Sequence, residues 1–397
     1  VRPIKTAGST RLQSSEASHN VRKTFSRRYS IINTEYMSRA LSLASKGLRT
    51  TSPNPMVGCV IVKDGRIIGK GWHHKCGNPH AEIEALNDAK SRGEDVSGST
   101  VYVTLEPCSH YGKTPPCANR LVSEGVSEVM IAMRDPNPKV DGKGIAILRE
   151  AGIKVTELPE FEEAAKFLNR GFVFVHKYGR PFVSLKAATS LDGRMNLANG
   201  SSKWITGLES RTEAHRMRAE NDAVLVGVGT VLSDDPELTV RHVEGINPLR
   251  VVLDSRLRTP TSAKVIGNDE KCLIITSEGA DRQKLKALEE AGATVAEVPS
   301  RGGHVDIESA LKYLAGIGVL TLMVEGGSEV LSAFLREGVA DYVRLFIAPR
   351  IFGEGKGINV DAGFRDVSEA FRLMDTKTRI LGEDIMIEGR LTCSPDL

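Results

Sequence analysis

His80-Ala81-Glu82 and, further along, Glu106-Pro107-Cys108-Ser109-His110-Tyr111-Gly112-Lys113-Thr114-Pro115-Pro116-Cys117 hold the densest chemistry in this 397-residue chain. An imidazole and two thiolates are good zinc ligands, and three protein ligands leave a fourth tetrahedral position open for water. Bound zinc lowers the pKa of that water towards neutrality. Glu82, two residues from the histidine, can carry a proton from an attacking water to a leaving amine. Two other readings stay open on the residues alone. Cys108 and Cys117 could be buried thiols with His80 at a helix end, or a closed structural site could be completed by His73, His74, Cys76 or His110.

Outward from this stretch, strand and helix signals alternate. Cys108 follows a strand-like run, Thr100–Leu105; Cys117 opens a helical pattern to Glu124; a helix from about His80 to Ala89 carries Glu82. Upstream, Thr34 is an N-cap for a helix with Met37, Ala40, Leu41 and Ala44 on one face, ending near Gly47. Val57–Val62 and Arg66–Trp72 flank Lys63-Asp64-Gly65, a hairpin signal. Strand Glu128–Ala132, helix Ile145–Ala151 and strand Lys154–Glu157 follow, and Asn169–Pro181 reads as a junction. Beyond it, strands at Phe182–Ala187, Ala223–Val228, Leu249–Leu253, Cys272–Thr276 and Leu320–Val324 alternate with helical patterns. Two of these, Arg282–Ala291 and Ser328–Glu337, stop at a glycine. Tyr342–Ala348 and Asp384–Leu391 close the chain. The alternation predicts an α/β protein with largely parallel central sheets. The length exceeds what one core usually serves, so the expected division is an extension at 1–33, one domain at 34–178 and a second at 179–397.

The composition, 40% apolar and 26% charged, suits a folded chain. Apolar stretches such as Val57–Val62 and Ala223–Val228 are strand-length, against roughly 18 residues for a membrane span. No membrane association is expected. The net charge of +3 conceals an asymmetry: residues 1–33 hold seven Lys/Arg and one acid, Glu16, leaving 46 basic against 49 acidic residues elsewhere. That mildly acidic remainder argues against a nucleic-acid partner. Six cysteines in so long a chain do not form a disulfide framework, so a reducing compartment is expected. The expected location is cytoplasmic, or a plastid if residues 1–33 are a transit-peptide remnant and not a disordered or mistranslated extension. A homo-oligomer acting on small molecules is expected.

His80-Ala81-Glu82 fits the H-x-E of zinc deaminases, in which the Glu is acid/base and not a ligand; the cysteines, however, stand eight residues apart and not two. With Thr104-Leu105-Glu106-Pro107-Cys108, a gap containing Gly-Lys-Thr-Pro-Pro, and Ser52-Pro53-Asn54-Pro55-Met56-Val57-Gly58, the first half resembles the deaminase half of the bifunctional RibD family of riboflavin biosynthesis. The resemblance implies a cytidine-deaminase-like three-layer fold, zinc on His80, Cys108 and Cys117, and Glu82 as proton shuttle. It also implies substrate contacts at Asn54, His73, Lys113, Thr114 and Asn137. The chemistry agrees: Lys113 and Thr114 suit a phosphate dianion, and Asn54 offers a donor and an acceptor to a pyrimidine edge. Turn formation before proline is the alternative for Asn54 and Asn137, and a solvated loop lysine for Lys113.

Four later pieces resemble the family's reductase half, which is dihydrofolate-reductase-like and uses NADPH. They are Lys186–Gly193, Ser202–Thr206, Gly227–Val231 with Asp234-Asp235-Pro236 and Leu238–Arg241, and Val324–Ser328. A Gly-Gly turn entering a helix can take a phosphate on free N–H groups, although such turns are common and G-x-G-x-x-G is lacking. The resemblance implies NADPH contacts at Ala188, Trp204, Thr230, Asp234, Ser255 and the turn-helix Gly327, Ser328, Glu329, Val330, Leu331, Ser332 and Ala333. It implies substrate contacts at Lys186, Ser202, Arg218, Arg241 and Glu325, with Arg218 and Arg241 gripping a phosphate. Core packing is the alternative for Trp204, and an Asp-Pro turn for Asp234. The implied reactions are zinc-dependent deamination of 2,5-diamino-6-(5-phosphoribosylamino)pyrimidin-4(3H)-one and NADPH-dependent reduction of 5-amino-6-(5-phosphoribosylamino)uracil. One rival is another zinc nucleoside or nucleobase deaminase fused to an NADP-binding accessory domain. A second is a zinc-stapled NADP-binding regulator, against which the intact Glu82 counts.

Overall fold

In the computed structural model, residues 34–110, 115–138, 140–360 and 362–397 are described. The expectations placed on residues 1–33, and on Lys113 and Thr114, lie outside them. The first half runs α1 (residues 34–44), β1 (Gly58–Lys63), β2 (Arg66–Trp72), α2 (Ala81–Ser91), β3 (Thr100–Val103), α3 (Cys117–Ser123), β4 (Glu128–Ile131), α4 (Lys143–Glu150) and β5 (Lys154–Glu157). Its sheet has the order β2-β1-β3-β4-β5. Strands β3, β4 and β5 are parallel, whereas β1 pairs antiparallel with both β2 and β3. The expected largely parallel sheet is therefore mixed here. A two-residue turn, Asp64-Gly65 at positive φ, can join only antiparallel strands.

Two close approaches place helices on opposite faces of this sheet. A Cβ at Gly58 would lie 2.0 Å from the Ala40 carbonyl oxygen of α1, and one at Gly71 2.5 Å from that of Ala81 in α2. Gly71 pairs with Cys59, the neighbour of Gly58, so the pleat points the two glycines to opposite sides. The result is three layers.

Helices α5 (Pro159–Leu168) and α6 (Arg170–Tyr178) pack on the first core, and the second half then runs β6 (Phe182–Thr189), α7 (Leu208–Glu220), β7 (Ala223–Gly227), α8 (Val228–Asp234), β8 (Leu249–Leu253), β9 (Cys272–Ser277), α9 (Arg282–Glu290) and β10 (Thr294–Val298). A small ladder of β11 (Ser300–Arg301) and β12 (His304–Val305) precedes α10 (Ile307–Gly316), β13 (Thr321–Val324), α11 (Ser328–Arg336), β14 (Tyr342–Ile347), β15 (Leu373–Leu381) and β16 (Asp384–Leu391). The large sheet has the order β10-β9-β8-β7-β13-β6-β14-β16-β15. It is parallel from β10 to β14; β16 runs against these strands, and β15, antiparallel to β16, returns to their direction. Every residue of β7 is buried, which is why Ala223–Gly227 reads as an unbroken apolar run.

The junction expected at Asn169–Pro181 is mostly helix. Phe172, Val173 and Phe174 of α6 are buried, and Gly179, at positive φ, ends the helix before β6. Helix α7 has no apolar stripe to read: it buries Ser210, Glu213, His215 and Arg218 beside Ala214 and Met217. Among the described residues, no helix is long and apolar enough to cross a membrane.

Candidate active sites

Three elements converge on the first site. His80 precedes α2, Glu82 lies in that helix's first turn, and Cys117 is the first residue of α3. The ligand atoms of His80, Cys108 and Cys117 all lie within 4.8 Å of one another. His80 Nδ1 is 3.4 Å from Cys117 Sγ and 3.6 Å from Cys108 Sγ, and the Cys117 N–H donates to Cys108 Sγ at 3.2 Å. The Cys117 thiol first, then His80 and the Cys117 N–H, outweigh burial and pull the Cys108 thiol down to about 4. In turn, the Cys108 thiolate raises His80 to about 9, and with burial it pushes Cys117 up. One imidazole and two sulfurs, one already favoured as thiolate by its hydrogen-bonding neighbours, fit zinc. Among the described residues no further His, Cys, Asp or Glu joins the cluster, so the closed structural site expected as an alternative lacks its fourth ligand.

Glu82 is buried; desolvation, reinforced by Cys108 and opposed by His80, lifts its carboxyl to about 7. A carboxyl poised near neutrality can both take and give a proton. His73 Nδ1 lies 3.0 Å from the Pro79 carbonyl oxygen, which can only accept, so Nε2 is left to accept from Asn54 Nδ2 at 3.4 Å. The His73 ring stands edge-on to His80 at 5.5 Å. Asn54 and His73 are thus gathered at the cluster. Asn137 lies in the loop after β4, its N–H bonded to Asp135 Oδ1.

Glu106, within the quoted motif, has a role that sequence reasoning missed. Its buried carboxylate accepts from the N–H groups of Gly142 (3.0 Å), Gly144 (2.9 Å) and Ile145 (3.2 Å), at the positive start of α4. A Cβ at Gly144 would sit 1.9 Å from the Pro107 carbonyl oxygen. The turn carrying Cys108 is therefore locked onto α4. Gly142 and Gly144 before a helix, with an unexplained acid, were the available signal. Gly144→Val is expected to displace Pro107–Cys108 and lower zinc content, measured by elemental analysis, while the second half of the chain keeps its fold.

The second site is a cleft of about 2020 Å³ where β6, β7 and β13 end. Parallel sheets commonly place ligands at the carboxyl ends of their strands. Lys186, Ala188, Ser202, Trp204, Arg218, Thr230, Asp234, Arg241, Ser255, Glu325, Gly327, Ser328, Glu329, Val330, Ser332 and Ala333 all line it. Leu331 does not: its side chain is in the core and its N–H is bonded to the Gly327 carbonyl. Trp204 is 65% exposed, with the Arg211 guanidinium 4.8 Å from its ring, so core packing does not account for it. Asp234 ends α8, within 3.5 Å of Ser202 Oγ, and the Gly327 N–H donates to Thr230 Oγ1.

The expected phosphate grip by two arginines changes. Arg218 gives Nε and Nη2 to Glu325 at 2.8 and 2.9 Å and Nη1 to the Thr239 carbonyl at 3.0 Å, so its fork is occupied. Lys186 Nζ is 3.4 Å from the same carboxylate. Burial alone would raise Glu325, but Arg218 and Lys186 hold it down at about 2. Arg241 remains half-exposed, paired with Glu237, and its backbone N–H donates to His215 Nδ1 at 3.1 Å. His215 is another residue of the cleft that sequence reasoning missed; burial and the nearby Arg218, His242 and Arg241 push it down to about 4, keeping it neutral. A single histidine on a polar helix gave no sequence signal.

Two family models match the chain: the cytidine and deoxycytidylate deaminase zinc-binding region over residues 31–133, and the RibD C-terminal domain over residues 181–387. The chain is 45% identical over 357 residues to the riboflavin biosynthesis protein RibD of Aquifex aeolicus, covering 90% of this chain and 98% of that one. It is 37% identical over 366 residues to RibD of Escherichia coli, covering 89% and 97%. Among solved structures, a deaminase/reductase from Thermotoga maritima superposes with a TM-score of 0.80 at 39% identity, covering 91% of this chain and 99% of that one. Sequence relatedness over both halves, the α/β architecture and the His/Cys/Cys cluster agree: the chain belongs to the RibD family of bifunctional riboflavin-biosynthesis deaminase/reductases.

Proposed function

We propose that this chain deaminates 2,5-diamino-6-(5-phosphoribosylamino)pyrimidin-4(3H)-one and then reduces 5-amino-6-(5-phosphoribosylamino)uracil with NADPH. The observation that carries the first step is the three-ligand cluster with a buried, near-neutral carboxyl beside it. Zinc, when bound, supplies a water made acidic enough to lose its proton near neutral pH. His80, Cys108 and Cys117 would hold the metal, and Glu82 is placed to carry a proton from water to the leaving amine. Asn54 and His73 orient the pyrimidine; Lys113, Thr114 and Asn137 complete its contacts.

In the cleft, the Gly327–Ala333 turn-helix, with Ala188, Trp204, Thr230, Asp234 and Ser255, holds the cofactor, which supplies the hydride. Leu331 is part of that helix but supports it from the core. Lys186, Ser202, Arg241 and Glu325 face the substrate, and Arg218 acts by holding Glu325. The domains divide as 34–178 and 179–397, the break falling at Gly179. We place the chain, as a homo-oligomer, in a reducing compartment, the cytoplasm or a plastid, in keeping with its free cysteines. Incubating the full chain with the diaminopyrimidine phosphate should release ammonia without NADPH, and NADPH oxidation should follow only after deamination. Ammonia release that requires NADPH would overturn this reading.

Cys108→Ser or Cys117→Ser should drop zinc well below one per chain, because thiolate is the softer ligand. His74→Ala should not, since its ring stacks on Trp72 at 4.0 Å and lies outside the cluster. Arg241→Ala removes a charge-assisted contact and should cost about 10–150-fold in kcat/KM for reduction, leaving deamination and NADPH binding little changed. Assay of both half-reactions and of NADPH affinity on that one variant checks this.

A further inference from the structure

We propose that the reductase domain positions the deaminase substrate loop, with Arg49 as the positioning residue that ties Asn54 to Asp222. The proposal rests on the reading of Asn54 as a substrate contact. Arg49 follows α1 at φ 68°, a left-handed conformation uncommon for a residue with a Cβ. Its side chain crosses to the other domain, where Nη1 donates to Asp222 Oδ1 at 2.7 Å, the two side chains being only 11% and 13% exposed. The other Asp222 oxygen is already fixed by the start of β13: it accepts from Leu320 N at 3.1 Å, Thr321 N at 2.9 Å and Thr321 Oγ1 at 3.0 Å. Arg49 therefore meets a carboxylate that cannot move.

The far end of the loop is held at the same place. Asn169, between α5 and α6, accepts from Met56 N at 2.8 Å and donates to Met56 O at 2.9 Å. Two residues on, a Cβ at Gly171 would lie 2.6 Å from the Leu320 carbonyl oxygen. Both ends of 49–56 thus bear on the segment that leads into β13. Between them, Thr50 accepts from Cys76 N and donates to the His74 carbonyl, and the Asn54 N–H donates to the Thr51 carbonyl. Asn54 then reaches His73, which stands against His80. Hydrogen bonds and the short chain between them lead from Asp222 to His73, and a ring contact completes the path to His80. The reductase cleft lies at the opposite, carboxyl ends of β7 and β13, and Arg49 does not line it.

The test uses the full chain with zinc, as Arg49→Met, Arg49→Lys, Asn54→Ala and the double variant Arg49→Met/Asn54→Ala. Arg49→Met keeps the stem and removes the charge. It should raise the deaminase KM by about 5–10-fold, while deaminase kcat, zinc content and both reductase constants stay within about twofold of wild type. Arg49→Lys should restore most of the KM. Because both changes act through one contact, Arg49→Met should add little in the Asn54→Ala background. An unchanged KM in Arg49→Met, with Asn54→Ala raised, overturns the proposal alone. Parallel losses in both half-reactions also overturn it, since they mark general loosening. An unchanged KM in Asn54→Ala, with deamination intact in the wild type, removes the substrate reading and the proposal with it.

Discussion

Glu82→Gln is expected to lower kcat for deamination by about 10²–10⁴-fold, the usual contribution of a positioned acid/base group. The substitution keeps size and hydrogen bonding at a fully buried position, so the local packing against α2 should survive. It adds no competing ligand and removes none, and elemental analysis should still find one zinc per chain. Reduction of pre-deaminated substrate should proceed at the wild-type rate, because the cleft belongs to the other sheet. Undiminished ammonia release would mean that another group moves the proton.

Glu325→Ala should be the most damaging change in the reductase half. Its carboxylate is shared by Arg218 and Lys186, whose side chains are 10% and 17% exposed. Removing one partner of a buried pair leaves uncompensated charge and typically costs about 3–5 kcal/mol. Here two like charges would face each other across the gap. Reduction should fall by on the order of 10²-fold or more, and the urea midpoint of the reductase domain should drop. Glu325→Gln, which still accepts from Arg218, should be milder in stability than in activity. A wild-type midpoint and wild-type reduction for the alanine variant would show that Arg218 and Lys186 find other partners.

The sequence was most legible where local chemistry is dense or strands are buried on both faces. His80, Cys108 and Cys117 converge as the resemblance implies, and the run from Ala223 holds a central strand, Ala223–Gly227. Legibility failed where the informative partner is distant in sequence. Arg218 reads as a free guanidinium until β13 brings Glu325 to it, 107 residues on. Glu106 reads as part of a ligand motif until α4 folds back onto it. Helix α7 hid because it buries charge, and α6 because glycines at both ends of an apolar run resemble a linker. Lys113 and Thr114 lie outside the described residues, and their role stays an inference from resemblance alone.

The order of strands in the large sheet has a consequence for synthesis on the ribosome. The deaminase sheet is complete once β5 has emerged, and each of its strands pairs within the first 157 residues. Strand β6 follows after α5 and α6, but its neighbours are β13 and β14, which end at Val324 and Ile347. At translation rates of about 5–20 residues per second, this apolar strand waits on the order of ten seconds with both edges unpaired. A nascent chain in that state offers Phe182–Thr189 to any other exposed strand, so β6 is the segment most exposed to misassembly and to chaperone capture before termination. Asp222 emerges early, but the Leu320 and Thr321 bonds that fix it for Arg49 cannot form until that wait is nearly over. One domain is built as it emerges; the other, and the last anchor of the first, must await almost the whole message.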